Sequence, residues 1–190
     1  MKKLFFLVFM FSMLYSRKLQ FKEEFYKLYY LPSYYNKNDL KRNIVYLQIA
    51  LKAAFDDPIR ALIVPKTKQE YLKYKFLLKM HLNYLITKNY VMLGVRFDKF
   101  ELRFYNKPYR EDIIKSLDYA RYYLETALIY WKQVLKYYNE VLNSSYKRRL
   151  DLSYMEDVVY RIKTKQLDYK EIINKELDRI KKKKEYYKNM

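Results

Sequence analysis

Glycine is nearly absent from this sequence. Gly94 is the single glycine among 190 residues, and proline occurs four times. A β-sandwich or β-barrel needs many turn residues, and a loop that cradles phosphate needs several glycines. Apolar residues make up 51% of the chain, which is enough to bury a core. The composition therefore predicts an all-α fold, and the length predicts a single domain.

Two long helical patterns dominate the middle of the chain, at about 67–142. The first extends from 68 towards 105 and the second from about 110 to 142, with Pro108 in the turn between them. Apolar side chains recur at steps of three and four residues along the second pattern, which is typical of an amphipathic helix, and a capping box marks the start of the first. The pattern predicts an antiparallel hairpin. Apolar and polar residues alternate over 95–105, so a strand remains an alternative there.

Shorter helices are predicted on both sides of this hairpin, from capping residues and apolar spacing. They lie at 21–31, 39–55, 151–163 and from 168 onwards, and the last two form a basic C-terminal part at about 151–190. Asn38, Thr67 with Glu70, Asp151 or Ser153, and Asp168 with Glu171 are the predicted caps. The fold class is therefore a helical array of hairpins or an irregular helical bundle.

Residues 1–16 have the features of a secretory signal peptide. Lys2 and Lys3 precede an apolar run at 4–15, and Ser16 offers a small residue for cleavage. A helix that spans a membrane needs about 20 apolar residues, more than this run contains. The alternative is a short buried first helix. We predict export to a periplasm, with residues 17–190 as the mature helical domain.

The chain is strongly basic, with a formal net charge of +19. Such a charge predicts a polyanionic partner, unless it reflects A/T-rich coding, which also favours Lys, Tyr, Asn, Ile and Phe. The run Lys181, Lys182, Lys183 and Lys184 is a candidate contact with an anionic membrane surface. The absence of cysteine excludes disulfides and thiolate chemistry.

The strongest motif lies in the central hairpin. Its first half is a Leu-Gly pair flanked by two aromatic residues, at Tyr90, Leu93, Gly94 and Phe97. Its second half is a bulky residue flanked by two small ones, at Ala120, Leu124 and Ala127. These patterns resemble the two helices of a tetratricopeptide repeat. The resemblance implies roles in helix packing only. Gly94 and Ala120 are 26 residues apart, whereas a standard repeat places them about 12 apart, so both helices would be extended.

Three segments resemble a spirochaetal envelope family of repeat-like proteins from the periplasmic flagellar motor collar. They are Ala53–Pro58, Met80–Tyr84 and Gly94–Lys99, and the resemblance extends over about 39–142. It implies a scaffold that helps to assemble or brace the collar around the motor.

No residue set in the sequence predicts a catalytic, metal or cofactor site. His81 is the only histidine and lacks the additional ligands of a zinc site, so we interpret it as a core or groove residue. Asp56 and Asp57 are adjacent near a helix end, which favours capping over acid–base catalysis. Arg96 and Asp98 are interpreted as a structural pair.

Together these patterns predict a non-enzymatic periplasmic scaffold that binds other proteins of an envelope assembly, with no small-molecule substrate. Trp131 is the best candidate anchor for a partner, although a core position is favoured over that role. The competing hypothesis is a basic helical protein that keeps its N terminus, stays in the cytoplasm and binds nucleic acid.

Overall fold

A computed structural model of the protein describes residues 19–31, 35–99 and 109–189, and these residues confirm the all-α fold. They contain no β-strand, only an isolated bridge between Phe21 and Ala54. The helices are α1 (Lys22–Tyr30), α2 (Leu40–Lys52), α3 (Lys68–Lys99), α4 (Arg110–Asn143), α5 (Ser153–Lys163) and α6 (Tyr169–Asn189), with a 3-10 turn at Pro58–Arg60. The predicted signal peptide lies outside the described residues.

Helices α3 and α4 form the predicted antiparallel hairpin. Their contacts run in opposite order along the chain, because Phe97 meets Tyr119 near one end and Lys79 meets Tyr137 near the other. Residues 95–99 are helical, so the strand alternative is wrong there. The rest of that segment and the predicted turn at 106–108 lie outside the part of the chain that the structure describes.

Local capping explains where α3 begins. The Glu70 amide donates to Thr67 Oγ1 at 3.1 Å, as the predicted capping box requires. The Glu70 carboxylate accepts from the Lys66 amide at 2.8 Å, whereas a standard capping box would have it accept from the Thr67 amide. This arrangement still satisfies two amides that a helix start leaves unpaired. At α6, Asp168 accepts from the Lys170 amide at 2.8 Å, and Glu171 pairs with Lys175.

Two other predicted helix ends need correction. Asp39, and not Asn38, caps α2, because its carboxylate accepts from the Arg42 amide. Helix α2 ends at Lys52, earlier than predicted, because the chain then turns extended and the Ala54 carbonyl accepts from the Lys22 amide at 2.7 Å.

The N terminus of α5 differs from the prediction as well. The helix begins at Ser153, and the residue before it, Leu152, provides no side-chain cap. Asp151, the other predicted cap, has a positive φ of 55°. The Glu156 carboxylate instead turns back and accepts from the Leu150 amide at 2.9 Å.

Helix α3 lies at the centre of the fold. Its first two-thirds pack in one large core with α1, α2, α5 and the second half of α4. Its last turns pack with the first half of α4 and with α6 in a second core, and with Leu40 and Ile44 of α2 in a third. Because α3 is covered on several sides, it shows no single apolar stripe. None of the described helices is long and apolar enough to cross a membrane.

Buried charges hold α1 against the end of α2, and the sequence did not predict them. The Lys22 ammonium donates to the carbonyls of Ala50 and Leu51, at 2.5 Å and 2.7 Å. The Glu23 carboxylate accepts from the Tyr74 hydroxyl at 2.8 Å and from the Asp56 amide at 2.9 Å. Burial lowers the pKa of Lys22 to about 8, and the charge of the nearby Lys79 contributes to this shift.

Helix α6 is held at the other end of the hairpin. Ile173 and Ile180 are buried against α4, and Leu177 lies partly buried beside them. Asp98, whose side chain is buried, accepts from Arg179 and from Lys183 of α6. The predicted pair of Arg96 with Asp98 is therefore wrong: residues two positions apart on a helix point to different sides, and Arg96 donates to the Asn38 carbonyl instead.

Candidate protein-binding surface on the central hairpin

Five aromatic rings contact one another in succession along one flank of the hairpin. The ring centroids are 5.6 Å apart for Tyr119 and Phe97, 5.3 Å for Phe97 and Tyr123, 6.2 Å for Tyr123 and Tyr90, and 5.6 Å for Tyr90 and Tyr130. These separations are those of favourable aromatic pairs. We call these five residues the aromatic ladder.

The spacing of the residues explains why the ladder forms. Tyr119, Tyr123 and Tyr130 follow one another at steps of four and seven residues, which places them on one face of α4. Tyr90 and Phe97 are seven residues apart on α3 and therefore also share a face. Since the two helices are antiparallel, the two rows of rings interdigitate.

A residue of α2 links the two rows. The Gln48 side-chain amide donates to the Tyr130 hydroxyl at 2.8 Å and to the Tyr90 hydroxyl at 3.3 Å. Burial raises the pKa of Tyr90, and the neighbouring Tyr130 raises it further, so the phenol stays neutral near pH 7. The hydroxyls of Tyr90 and Tyr130 are thus held in fixed positions by one side chain.

The outer part of this flank faces solvent. Tyr119 is 56% exposed, and Tyr122, whose ring stands edge-on to Tyr123, is 59% exposed. Ile129, further along α4, is 62% exposed. Tyrosine is enriched in protein interfaces because it buries a large area at a small entropy cost. This flank therefore has the composition of a protein-binding surface.

The small residues singled out in the sequence lie where the two helices cross. A Cβ atom built on Gly94 would lie 2.6 Å from Leu124 Cγ and 3.2 Å from the Ala120 carbonyl oxygen. Ala120, Leu124 and Ala127 are fully buried. Gly94 thus permits a close approach that a side chain would block. Leu93, the neighbouring motif residue, is buried against Leu40 and Ile44.

Trp131 does not face a partner. It is only 1% exposed and stands edge-on to Tyr169, with 5.3 Å between the ring centroids. The candidate anchor role is therefore wrong and the favoured position, in the core, is right. Within the described residues its indole nitrogen has no hydrogen-bond partner.

His81 is a core residue, as interpreted from the sequence. It is 2% exposed, and its Nδ1 lies 2.9 Å from the Tyr26 hydroxyl. Burial lowers the pKa of His81 to about 3, and Lys88 contributes to the shift. The imidazole is therefore neutral at ordinary pH. It lies beside a cavity of about 460 Å³ that is lined mainly by tyrosines, with Lys88 and Asp157 as its two charged residues.

Asp56 and Asp57 have the structural roles that their position near a helix end indicated. Asp56 pairs with Arg60 at 2.8 Å and accepts from the Asp57 amide, while Asp57 caps the 3-10 turn through the Ile59 amide. In the part of the chain that the structure describes, no group of three or more His, Cys, Asp or Glu residues could hold a metal ion.

Residues 69–190, more than half of the chain, match the family described as "Domain of unknown function (DUF8513)". The chain belongs to the DUF8513 family. No curated protein and no solved structure matches it. The DUF8513 match covers α3 to α6 and therefore all five rings of the aromatic ladder. Helices α1 and α2, including Gln48, precede the matched residues.

Proposed function

We propose that this DUF8513 protein is a non-enzymatic scaffold that binds another protein through the aromatic ladder and the exposed residues beside it. The observation that carries the proposal is the exposure of Tyr119, at the end of the ladder, and of Tyr122 beside it, on a helix of 34 residues. Exposed tyrosines on a rigid element can dock without first being ordered, which favours affinity.

The packing beneath this surface supports the proposal. Gly94 sets the close crossing of α3 and α4, and Gln48 fixes the hydroxyls of Tyr90 and Tyr130. The rings are therefore held by the fold and lose little conformational freedom when a partner binds. Binding surfaces of this kind concentrate their energy in a few aromatic residues.

The sequence also supports a cellular location for the proposed scaffold. The predicted signal peptide at 1–16 supports a periplasmic location for the scaffold, and the resemblance to spirochaetal motor-collar proteins makes the collar the proposed assembly. Under this proposal the protein braces or helps to assemble the collar. Deletion of its gene is then expected to impair motility and leave metabolism unchanged.

The double variant Tyr119→Ala and Tyr122→Ala tests the binding surface. The matched control is Tyr160→Ala with Tyr186→Ala, because these tyrosines are similarly exposed, at 54% and 61%, and lie on α5 and α6. Partners would be recovered from crosslinked cells that produce the full chain. We expect recovery to fall about tenfold or more in the ladder variant alone, since loss of interface tyrosines commonly costs more than 1 kcal/mol.

Equal partner recovery from both variants would overturn the proposed surface. Circular dichroism and thermal unfolding would verify that each variant folds, since exposed substitutions change stability by about 0.5 kcal/mol or less. Cell fractionation with sequencing of the mature N terminus tests the compartment. A full-length product with its leader intact, found in the cytoplasm and bound to nucleic acid, would contradict export and support the competing hypothesis.

A further inference from the structure

Lysines and aromatic rings cluster at the far end of the same hairpin flank. The cluster is formed by α3, α4 and the segment after α2. We call it the lysine–aromatic patch, and it consists of Lys75, Lys79, Lys136, Phe55, Tyr71 and Tyr137.

Each lysine of the patch rests on one or two rings. The Lys75 ammonium lies 4.6 Å from the ring centroid of Tyr71 and 5.9 Å from that of Phe55. The Lys79 ammonium lies 5.6 Å from Phe55 and 5.5 Å from Tyr137. Such contacts are attractive and hold the ammonium groups in place without neutralising them.

The lysines of the patch are not paired directly with acids, although Glu23, Asp56 and Asp57 lie near Tyr71. Among residues 19–31, 35–99 and 109–189, none of the three lysines forms an ion pair with a carboxylate. The nearby carboxylates have other partners: Asp56 pairs with Arg60, and Glu23 accepts from Tyr74. An anion that binds here would meet several positive charges at once.

A buried cation adds to the charge of the patch. The Lys22 ammonium lies 5.2 Å from the Phe55 centroid. Its pKa is lowered first by burial and then by the charge of Lys79. Three ammonium groups, those of Lys22, Lys75 and Lys79, therefore surround one ring. They repel one another, and a bound carboxylate would relieve that repulsion.

The patch is continuous with the aromatic ladder. Tyr119, Tyr123, Tyr130 and Tyr137 follow one another on α4 at steps of four, seven and seven residues, so they share one face. The helix rises about 1.5 Å per residue, so this row is about 27 Å long. One elongated ligand can therefore contact exposed rings at one end and lysines at the other.

We infer that the lysine–aromatic patch binds an acidic segment of a partner protein, and this inference rests on the proposed function. A second copy of the chain does not fit, because it would place lysines against lysines. Nucleic acid is disfavoured, because the ring faces that bases would stack on are occupied by ammonium groups. Lys75 and Lys79 are half-buried beside Phe55, which suits a narrow peptide better than a flat membrane.

A binding measurement on the full chain tests this inference, with a fluorescent poly-glutamate peptide as the probe. The patch variant is Lys75→Gln with Lys79→Gln, and the control is Lys163→Gln with Lys170→Gln, two exposed lysines on α5 and α6. Both variants lose the same net charge. We expect the Kd for the peptide to rise about tenfold in the patch variant and about twofold or less in the control.

Equal weakening in the two variants would overturn the inference, because binding would then follow net charge alone. Anionic vesicles or single-stranded DNA that bind more tightly than the peptide and are lost in the patch variant would overturn it in favour of those ligands. A Lys75→Arg and Lys79→Arg variant, which keeps the charge, is expected to retain peptide binding.

The variants also separate this inference from the proposed function. If the patch variant keeps every cellular partner while the ladder variant loses them, the inference fails and the scaffold proposal stands. If the ladder variant keeps its partners, the scaffold proposal fails, whatever the peptide measurement shows.

Discussion

The two ends of the α3–α4 hairpin are stabilised in different ways. At the end where α3 begins, α1 is attached through buried charged and polar groups, with Glu23 bonded to Tyr74 and Lys22 bonded to the end of α2. At the other end, α3 and α4 meet directly at Gly94, and α6 adds an apolar seam with ion pairs around Asp98.

The difference follows from the lengths of the attached helices. Helix α1 has nine residues and is too short to be stable alone, so a few strong buried bonds must fix its position. Helix α6 has 21 residues and buries a row of apolar side chains, and two of its side chains share the buried Asp98, so no single ion pair has to fix its position. We therefore expect substitutions at the polar end to cost more than substitutions at the α6 end.

The largest effect is expected from Glu23→Ala. The substitution leaves the Tyr74 hydroxyl and the Asp56 amide without an acceptor and removes a negative charge that favours the charged form of Lys22. We expect the free energy of unfolding to fall by about 3 kcal/mol. Urea denaturation measures it, and Lys27→Ala, an exposed site on the same helix, serves as the control. Similar losses in both variants would show that the buried bonds are unimportant.

The next largest effect concerns acid and His81. Its folded-state pKa of about 3 lies below the value of 6.5 for an unfolded chain. As the pH falls below 6.5 the unfolded chain binds a proton that the folded chain does not, so stability is lost. The wild type should lose about 2 kcal/mol more than His81→Gln between pH 7 and pH 5. Parallel stability curves for the two proteins would contradict this.

A smaller effect is expected at the helix crossing. Gly94→Ala places a Cβ atom against Leu124, and the strain exceeds the gain in helix propensity by about 1 kcal/mol. In a Leu124→Ala background the contacts with Leu124 are removed and the 3.2 Å contact with the Ala120 carbonyl oxygen remains, so the same substitution should change the free energy of unfolding by only about 0.5 kcal/mol or less. Thermal and urea unfolding of the four proteins in this cycle measures the change. An equal cost in the two backgrounds would show that Leu124 is not the residue that blocks a side chain at position 94.

The smallest effect distinguishes two lysines of one run. Lys183 pairs with the buried Asp98 at 2.8 Å, whereas Lys181 is exposed. Lys183→Gln should lower the free energy of unfolding by about 0.8 kcal/mol, since Arg179 still pairs with Asp98. Lys181→Gln should leave it unchanged within error. Equal changes in the free energy of unfolding for the two variants would mean that Lys181 and Lys183 both act only as solvated charges at the end of α6.

The sequence predicted the features that depend on local signals. The capping residues of α3 and the apolar spacing placed the hairpin correctly, and α4 ends at Asn143, one residue beyond the prediction. The end of α2 was misplaced because it depends on pairing between Ala54 and the start of α1. That pairing is a long-range contact and leaves no mark in the local sequence.

The candidate surface was predicted only in part. Tyr90 and Phe97 were singled out by their resemblance to a repeat, whereas the α4 tyrosines were missed although their spacing of four and seven residues was visible. Trp131 was considered as an anchor because tryptophan favours interfaces, but it lies in the core. Its burial depends on α6, whose position no local pattern specifies. The partners of Asp98 could not be predicted for the same reason.

The position of Trp131 also has a practical consequence. It is the only tryptophan among 190 residues, and its buried indole projects from α4 and stands edge-on to Tyr169 at the start of α6. Its fluorescence spectrum therefore reports, without an added label, on the contact between α4 and α6. Emission is expected to be blue-shifted while α6 is docked and to move to longer wavelengths when that helix detaches, so release of the C-terminal helix could be followed optically in real time.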